Sequence, residues 1–241
     1  MTDIFLDTAD LLQIEKLIED PRISGLTTNP TLMRQAGVTN YMSYVCDLID
    51  LLREKKQNGS VSLEVVSDEP NTMMDEAMIL HEIGEELKYK VYVKIPIVNT
   101  QGFYNSQLID SLLMKKVAVN VTAIMTDEQA RTLLLDVGAY PSQDLILSVF
   151  AGRIADTGRD PLETIAALRL VPGNYKSLWA SPREVYNYYQ ARDWYVDIIT
   201  MAPDLIKKLD LEDKNLYDYS VDTVKMFVSD AKKSGFTIND V

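Results

Sequence analysis

One cysteine, Cys46, and one histidine, His81, are all that this 241-residue chain holds of either. No intrachain disulfide can form, and a cysteine-rich metal site is excluded. Ser-His-Asp or Cys-His catalysis, and any imidazole metal site, would depend on His81 alone. Positive charge is scarce too. The 24 Lys and Arg against 36 Asp and Glu leave a formal charge of −12, so neither nucleic acid nor an anionic membrane is expected as a partner. No apolar run approaches a membrane span, and none stands at the N-terminus ahead of a cleavage site. A cytoplasmic protein is the simplest expectation. No Gly/Ser-rich linker, low-complexity tract or composition break divides the chain. No glycine-rich phosphate turn follows the first strand-like segment, which counts against a doubly wound dinucleotide fold.

What is present is an ordinary enzyme-like composition, 46% hydrophobic and 25% charged, with ample chain for a large core. Alternation and β-branched runs predict strands at Ile4–Thr8, Ile23–Thr28, Val61–Val66, Val91–Ile97, Val117–Ile124, Leu145–Phe150, Tyr175–Ser181 and Tyr195–Met201. Helical spacing predicts helices at Ala9–Asp20, Tyr41–Lys56, Asp75–Leu87, Gly102–Lys115, Thr126–Leu135, Asp160–Leu168, Arg183–Ala191, Pro203–Leu209 and Val221–Ser234. Thr126 suits an N-cap and Pro161 a first helical turn. Eight strands, each followed by a helix, predict the α/β class: a (β/α)₈ TIM barrel with an additional C-terminal helix. The expected organisation is one domain over residues 1–241, with a helical tail at about 215–241.

The oddity is Lys94, in the middle of an apolar strand. At an edge it would sit in water. Inside a barrel it would be a buried amine able to shed its proton and attack a carbonyl. Alternation decides for the interior. The outward face of each barrel strand meets helices and is apolar. With Ile4 and Leu6 outward, Asp7 points in; Leu63 and Val65 leave Ser62 and Glu64 inside. Val119 and Val121 leave Asn120 and Thr122, and Leu145, Leu147 and Val149 leave Ser148 and Phe150. Thr27 and Asn29 join from the second strand. The same rule, with Leu178 and Ala180 outward, places Trp179 and Ser181 inside. These polar residues fall in the C-terminal halves of their strands, where barrel enzymes build active sites. Lys94 can then be a nucleophile or the ion-pair partner of a carboxylate, Asp7 and Glu64 offer two carboxylates for proton transfer, and Thr122 can orient a water between them. Arg153 and Arg183 can pair a phosphate. His81 reads as a surface or packing residue, Cys46 as core, and Asp156–Asp160 as a loop at the active-site end.

At these residues the chain resembles the transaldolase family of Schiff-base aldolases. The resemblance is nearly end to end. It rests on Phe5-Leu6-Asp7-Thr8-Ala9, Thr27-Thr28-Asn29-Pro30-Thr31-Leu32, Val93-Lys94-Ile95-Pro96, Asn120-Val121-Thr122, Ser148-Val149-Phe150-Ala151-Gly152-Arg153-Ile154 and Ala180-Ser181-Pro182-Arg183. It implies that Lys94 forms the Schiff base, that Asp7 deprotonates the substrate hydroxyl, and that Glu64 and Thr122 hold the proton-shuttling water. Asn29, Asn120 and Ser148 would position the dihydroxyacetone portion, and Arg153, Ser181 and Arg183 the phosphate. Thr27 and Phe150 complete the substrate-binding set. No metal or organic cofactor is implied; the partners are sugar-phosphate substrates and further copies of the chain. Relatives that act as fructose-6-phosphate aldolases carry Gln and Tyr where this chain has Glu64 and Phe150. The resemblance therefore implies transfer of dihydroxyacetone from a ketose phosphate, sedoheptulose 7-phosphate or fructose 6-phosphate, to an aldose phosphate. An aldolase releasing dihydroxyacetone, or a barrel that only binds sugar phosphates, are the alternatives. Pro182, where an aromatic is common, and the short stretch from Leu168 to Tyr175 depart from the family near the phosphate end.

Overall fold

A computed structural model describes residues 2–55, 58–138, 144–235 and 238. The chain divides into two compact units, residues 1–206 and 207–241. In the first, eight parallel strands close on themselves in sequence order: β1 (Asp3–Asp7), β2 (Ile23–Thr27), β3 (Ser60–Glu64), β4 (Lys90–Pro96), β5 (Val119–Ile124), β6 (Leu145–Val149), β7 (Lys176–Trp179) and β8 (Ile198–Met201). β8 returns to pair with β1 through Ile199 and Ile4. The barrel leaves no edge, so the exposed-edge reading of Lys94 falls, as does the doubly wound alternative.

The helices are α1 (Leu11–Leu17), α2 (Pro30–Gln35), α3 (Tyr41–Glu54), α4 (Pro70–Glu86), α5 (Ser106–Met114), α6 (Asp127–Asp136), α7 (Ala151–Asp156), α8 (Pro161–Arg169), α9 (Tyr186–Asp193), α10 (Pro203–Lys208) and α11 (Leu216–Ser234). Each predicted strand is present within a few residues of its expected ends. α2 and α7 were not expected; they are six-residue turns placed directly after β2 and β6, too short to show a periodic face. Asn29 caps α2, accepting from the Leu32 N–H at 3.0 Å. α4 begins at Pro70, five residues before the expected start, with the proline in its first turn. α6 starts at the predicted cap: Thr126 and Gln129 form a reciprocal capping box. Lys56, the expected end of the third segment's helix, lies outside the described residues.

Two layers fill the barrel. Phe5, Tyr92, Ala118, Ile146, Leu178, Ala180 and Ile198 form one buried cluster, with Phe150 packed against it. Several of these residues lie two positions before an inward polar residue of the same strand, so the cluster is an apolar floor under the polar layer. Gly25 makes room for it: a Cβ there would stand 2.7 Å from the Phe5 ring. The outward faces, Leu6, Leu26, Leu63, Val93, Ile95, Val121 and Leu147, are wholly buried. Cys46 departs from expectation. It lies on the exposed face of α3, whose buried residues are Tyr44, Val45, Leu48, Ile49 and Leu52. Cysteine's usual burial gives way here to the phase of the helix.

In the second unit, α11 is capped by Asn215, whose side chain accepts from the Tyr217 and Asp218 N–H groups. It ends at Gly235, with φ at +66°. None of its side chains is buried. No helix among the described residues is long and apolar enough to cross a membrane.

Candidate active site

Parallel pairing brings the ends of all eight strands to one rim, and a cavity opens there. Ten of the twelve predicted site residues line it: Asp7, Thr27, Asn29, Lys94, Asn120, Thr122, Ser148, Phe150, Arg153 and Ser181. Glu64 and Arg183 are not part of its wall. Leu178, Ala180 and Thr200 line it as well, and sequence reasoning did not place them there.

Lys94 is 6% exposed. Its Nζ lies 2.9 Å from Glu64 Oε2 and donates to the Thr28 carbonyl at 2.8 Å. The register explains the pair: Glu64 on β3 stands opposite Lys94 on β4, so both side chains leave the sheet on the same side. Glu64 is held from behind. The Tyr41 hydroxyl, at the start of α3, donates to its main-chain carbonyl at 2.7 Å. Burial, with the Glu64 charge adding, keeps that hydroxyl protonated.

Across the cavity Asp7 accepts from the Thr27 hydroxyl at 2.7 Å. Burial pushes the Asp7 carboxyl above its ordinary value; the Thr27 hydrogen bond and the Lys94 charge oppose this, and Glu64 adds to it. Ser148 donates to Asn120 Oδ1 at 2.6 Å, and Asn120 Nδ2 donates to Ser62 Oγ at 3.0 Å. That chain across β3, β5 and β6 fixes the amide's orientation. The Thr122 hydroxyl is buried with no hydrogen-bond partner among the described residues. It is a free polar group beside the hydrogen-bonded Asn120 and Ser148.

The two arginines are arranged differently from one another. The Arg153 guanidinium lies 5.0 Å from the centre of the Phe150 ring, a cation–π contact at the cavity wall. Arg183 is held away from the wall by Asp156, through an Nε–Oδ1 hydrogen bond of 3.0 Å and a second contact from Nη2 to Oδ2. This pairing, with Arg153 adding, holds the Asp156 carboxyl below its usual range. The Asp156–Asp160 segment therefore begins inside α7 and reaches Arg183 through Asp156.

β7 has the opposite phase to the one read from its sequence. Leu178 and Ala180 point inward and Trp179 outward, because Leu178 pairs in register with inward Ser148 and Trp179 with outward Val149. Ser181 still reaches the cavity because its backbone turns: φ is +61°, in the left-handed region. Ala123, with φ at +63°, breaks the β5 register in the same way after Thr122. Such strain gathers at functional sites. Gly152 closes this rim. A Cβ there would lie 1.6 Å from the Ser181 carbonyl oxygen, so only glycine lets α7 approach the loop after β7.

Thr200 was legible but missed. Alternation along Ile198-Ile199-Thr200-Met201 puts it inward beside Asp7, and β8 pairs Thr200 with Phe5. Among the described residues no group of His, Cys, Asp and Glu side chains is placed to hold a metal ion.

Residues 4–241 match the family described as Transaldolase/Fructose-6-phosphate aldolase. Proteins named "Probable transaldolase" from Mesorhizobium japonicum and Chelativorans sp. are 34% and 33% identical over 230 residues, 92% of this chain and 96% of each relative. One of the same name from Thermoplasma volcanium is 28% identical over 86% of both chains. Among solved structures, 3-hexulose-6-phosphate synthase from Salmonella typhimurium superposes with a TM-score of 0.57 at 13% identity, over 83% of this chain and 89% of that one. Dihydrodipicolinate synthase from Rhodopseudomonas palustris gives 0.53 at 13%, over 93% and 79%. At such identities these two likenesses speak for the barrel alone.

Proposed function

The chain belongs to the transaldolase/fructose-6-phosphate aldolase family, and on that premise we propose that it is a transaldolase. It moves a dihydroxyacetone unit from a ketose phosphate, sedoheptulose 7-phosphate or fructose 6-phosphate, to an aldose phosphate through a Schiff base on Lys94. The observation that carries this reading is the placement of Lys94: a buried amine at the cavity wall, with one carboxylate at 2.9 Å and another lining the same cavity.

The Lys94 amine gives up a proton to Glu64 and attacks the ketose carbonyl carbon. Water then leaves, with Glu64 returning a proton and Thr122 holding the departing oxygen. The resulting iminium draws electrons from the adjacent carbon–carbon bond as Asp7 takes the proton of the substrate hydroxyl. That bond breaks, the aldose leaves, and a three-carbon enamine remains on Lys94. Asn29, Asn120 and Ser148 hold its hydroxyls. The acceptor's aldehyde carbon forms the new bond, and Asp7 returns its proton to the new hydroxyl. Hydrolysis of the iminium frees Lys94. Arg153 and Ser181 meet the phosphate at the rim, with Arg183 joining from its Asp156 pair.

Glu64 and Phe150, where the resemblance gives releasing aldolases Gln and Tyr, favour transfer over release. With fructose 6-phosphate and erythrose 4-phosphate, the rate of transfer should exceed that of dihydroxyacetone release. Predominant release would establish the aldolase reading and overturn the argument from these two residues.

The proposal extends to assembly. α11 carries Tyr217, Val224 and Phe227 exposed, and none of its residues is buried; a second copy of the chain is the partner proposed for that face. Light scattering should give a mass above that of one chain, and Phe227→Glu should lower it. An unchanged mass would remove α11 from the interface.

A further inference from the structure

The hydroxyls of Thr27 and Thr200 lie 2.5 Å apart, and Thr27 is also 2.7 Å from Asp7 Oδ1. Both threonines are buried. They come from β2 and β8, the two strands that flank β1, which carries Asp7. A hydroxyl has one proton and two lone pairs, and an ionised carboxylate can only accept. When Asp7 is charged, Thr27 must spend its proton on the carboxylate. The short contact to Thr200 then has only one possible donor, the Thr200 hydroxyl. The order is Thr200 to Thr27 to Asp7. When Asp7 carries a proton, it can donate to Thr27, Thr27 to Thr200, and the order reverses. The first order gives both hydroxyl protons an acceptor; the reversed one turns the Thr200 proton to the cavity that Thr200 lines.

We propose that Thr27 and Thr200 are a paired-hydroxyl positioning device for Asp7, aiming its carboxylate and setting how firmly it holds a proton in both halves of the reaction. This rests on the Schiff-base reading, in which Asp7 alternately takes and returns the substrate's hydroxyl proton. It moves Thr27 from the substrate-binding set to a supporting role, because its proton is committed to Asp7. The charged groups facing Asp7 from other elements are Lys94 on β4, which favours its ionised form, and Glu64 on β3, which disfavours it. Arg153 of α7 lines the same cavity. Neither threonine touches these groups in the hydrogen bonds described above, so altering the hydroxyl pair changes Asp7 selectively.

The sign follows. Thr27 is the hydrogen-bond donor that offsets the burial of Asp7. Its loss makes Asp7 harder to ionise, so the acid limb of the kcat/KM profile moves to higher pH. The test uses the full chain with fructose 6-phosphate and erythrose 4-phosphate across pH. Thr27→Val should displace the acid limb upward, with a loss of about tenfold on that limb, and any loss on the plateau should fall on kcat rather than on KM. Thr27→Ser should restore the wild-type limb. Thr200→Val should move the limb the same way by less, since it removes only the bond that polarises Thr27, and Thr200→Ser should not. This second pair carries the test if valine at 27 does not fold. An unmoved limb with a raised KM in Thr27→Val would make Thr27 a substrate contact and overturn the proposal. So would serine variants that behave as the valines do. Borohydride trapping of fructose 6-phosphate on Lys94 is run in parallel. Its failure in the wild-type protein would refute the Schiff-base reading, a result distinct from an unmoved limb.

Discussion

Lys94→Met is expected to abolish the borohydride-trapped adduct with fructose 6-phosphate and to lower kcat by roughly 10⁴-fold or more, the scale seen when a covalent nucleophile is removed. Methionine keeps most of the volume and reach of the lysine stem without the amine. The lesion therefore tests the chemistry rather than the packing. It also tests the energetics. In the wild type the Lys94 ammonium sits between the Glu64 carboxylate at 2.9 Å and the Thr28 carbonyl at 2.8 Å. Removing one partner of a buried pair strands the other, at a cost of about 3 kcal/mol. Urea unfolding should show that loss. The double variant Lys94→Met/Glu64→Gln should recover most of it, because no unpaired charge remains. It should recover no activity. A mass-mapped adduct elsewhere in Lys94→Met, or substantial residual turnover, would remove Lys94 from the mechanism.

The second large effect separates Asp7 from Lys94. Asp7→Asn keeps the shape of the side chain and an oxygen for the Thr27 hydroxyl, but it cannot take a proton from the substrate. Turnover should fall by about 10² to 10⁴-fold, while trapping at Lys94 persists, since imine formation precedes the step that needs Asp7. Loss of trapping would instead place Asp7 in imine formation. Stability should move the other way. Burial raises the Asp7 carboxyl above its ordinary value of 3.8, so the folded state binds its proton more tightly than the unfolded chain does. Stability contributed at this site is thus greatest at low pH, and is lost as pH rises from the ordinary value through the folded one. Asparagine has no charge to bury. The variant's stability advantage should accordingly grow with pH over that window, read as the difference in urea midpoints at successive pH values. A wild type that gained on the variant with rising pH would contradict the burial of Asp7 as a charge held against its preference.

Both predictions concern residues that the sequence exposes unusually well. Period-two alternation is a rigid consequence of backbone geometry, and a closed barrel leaves each strand one apolar face and one inner face. The order of strands and helices, the C-terminal helix, and the inward set of Asp7, Glu64, Lys94, Asn120, Thr122 and Ser148 could therefore be read without coordinates. Thr126 and Pro161 marked their helices for equally local reasons, a capping oxygen and a fixed φ. α2 and α7 could not be read, because six residues carry too little pattern. The exposure of Cys46 was legible but missed, since it lies off the apolar face that Tyr44, Val45, Leu48 and Leu52 mark on α3.

Only the tertiary structure decided three matters. Short strands with apolar residues on both sides have two possible phases, and pairing of Leu178 with Ser148 and of Trp179 with Val149 chose the one that turns Trp179 outward. Positive φ at Ser181 then returned that side chain to the cavity, a backbone choice no side-chain pattern records. Contacts across the rim join residues far apart in the chain: Arg183 to Asp156, Tyr41 to the Glu64 carbonyl, and Thr200 through Thr27 to Asp7. β7, apolar on both sides, was decided by its neighbours. On strands with one polar face, the sequence by itself determined which side chains face inward, because that depends on local geometry. Which of them hold one another depends on the closure of the barrel, and closure is a property of all eight strands together.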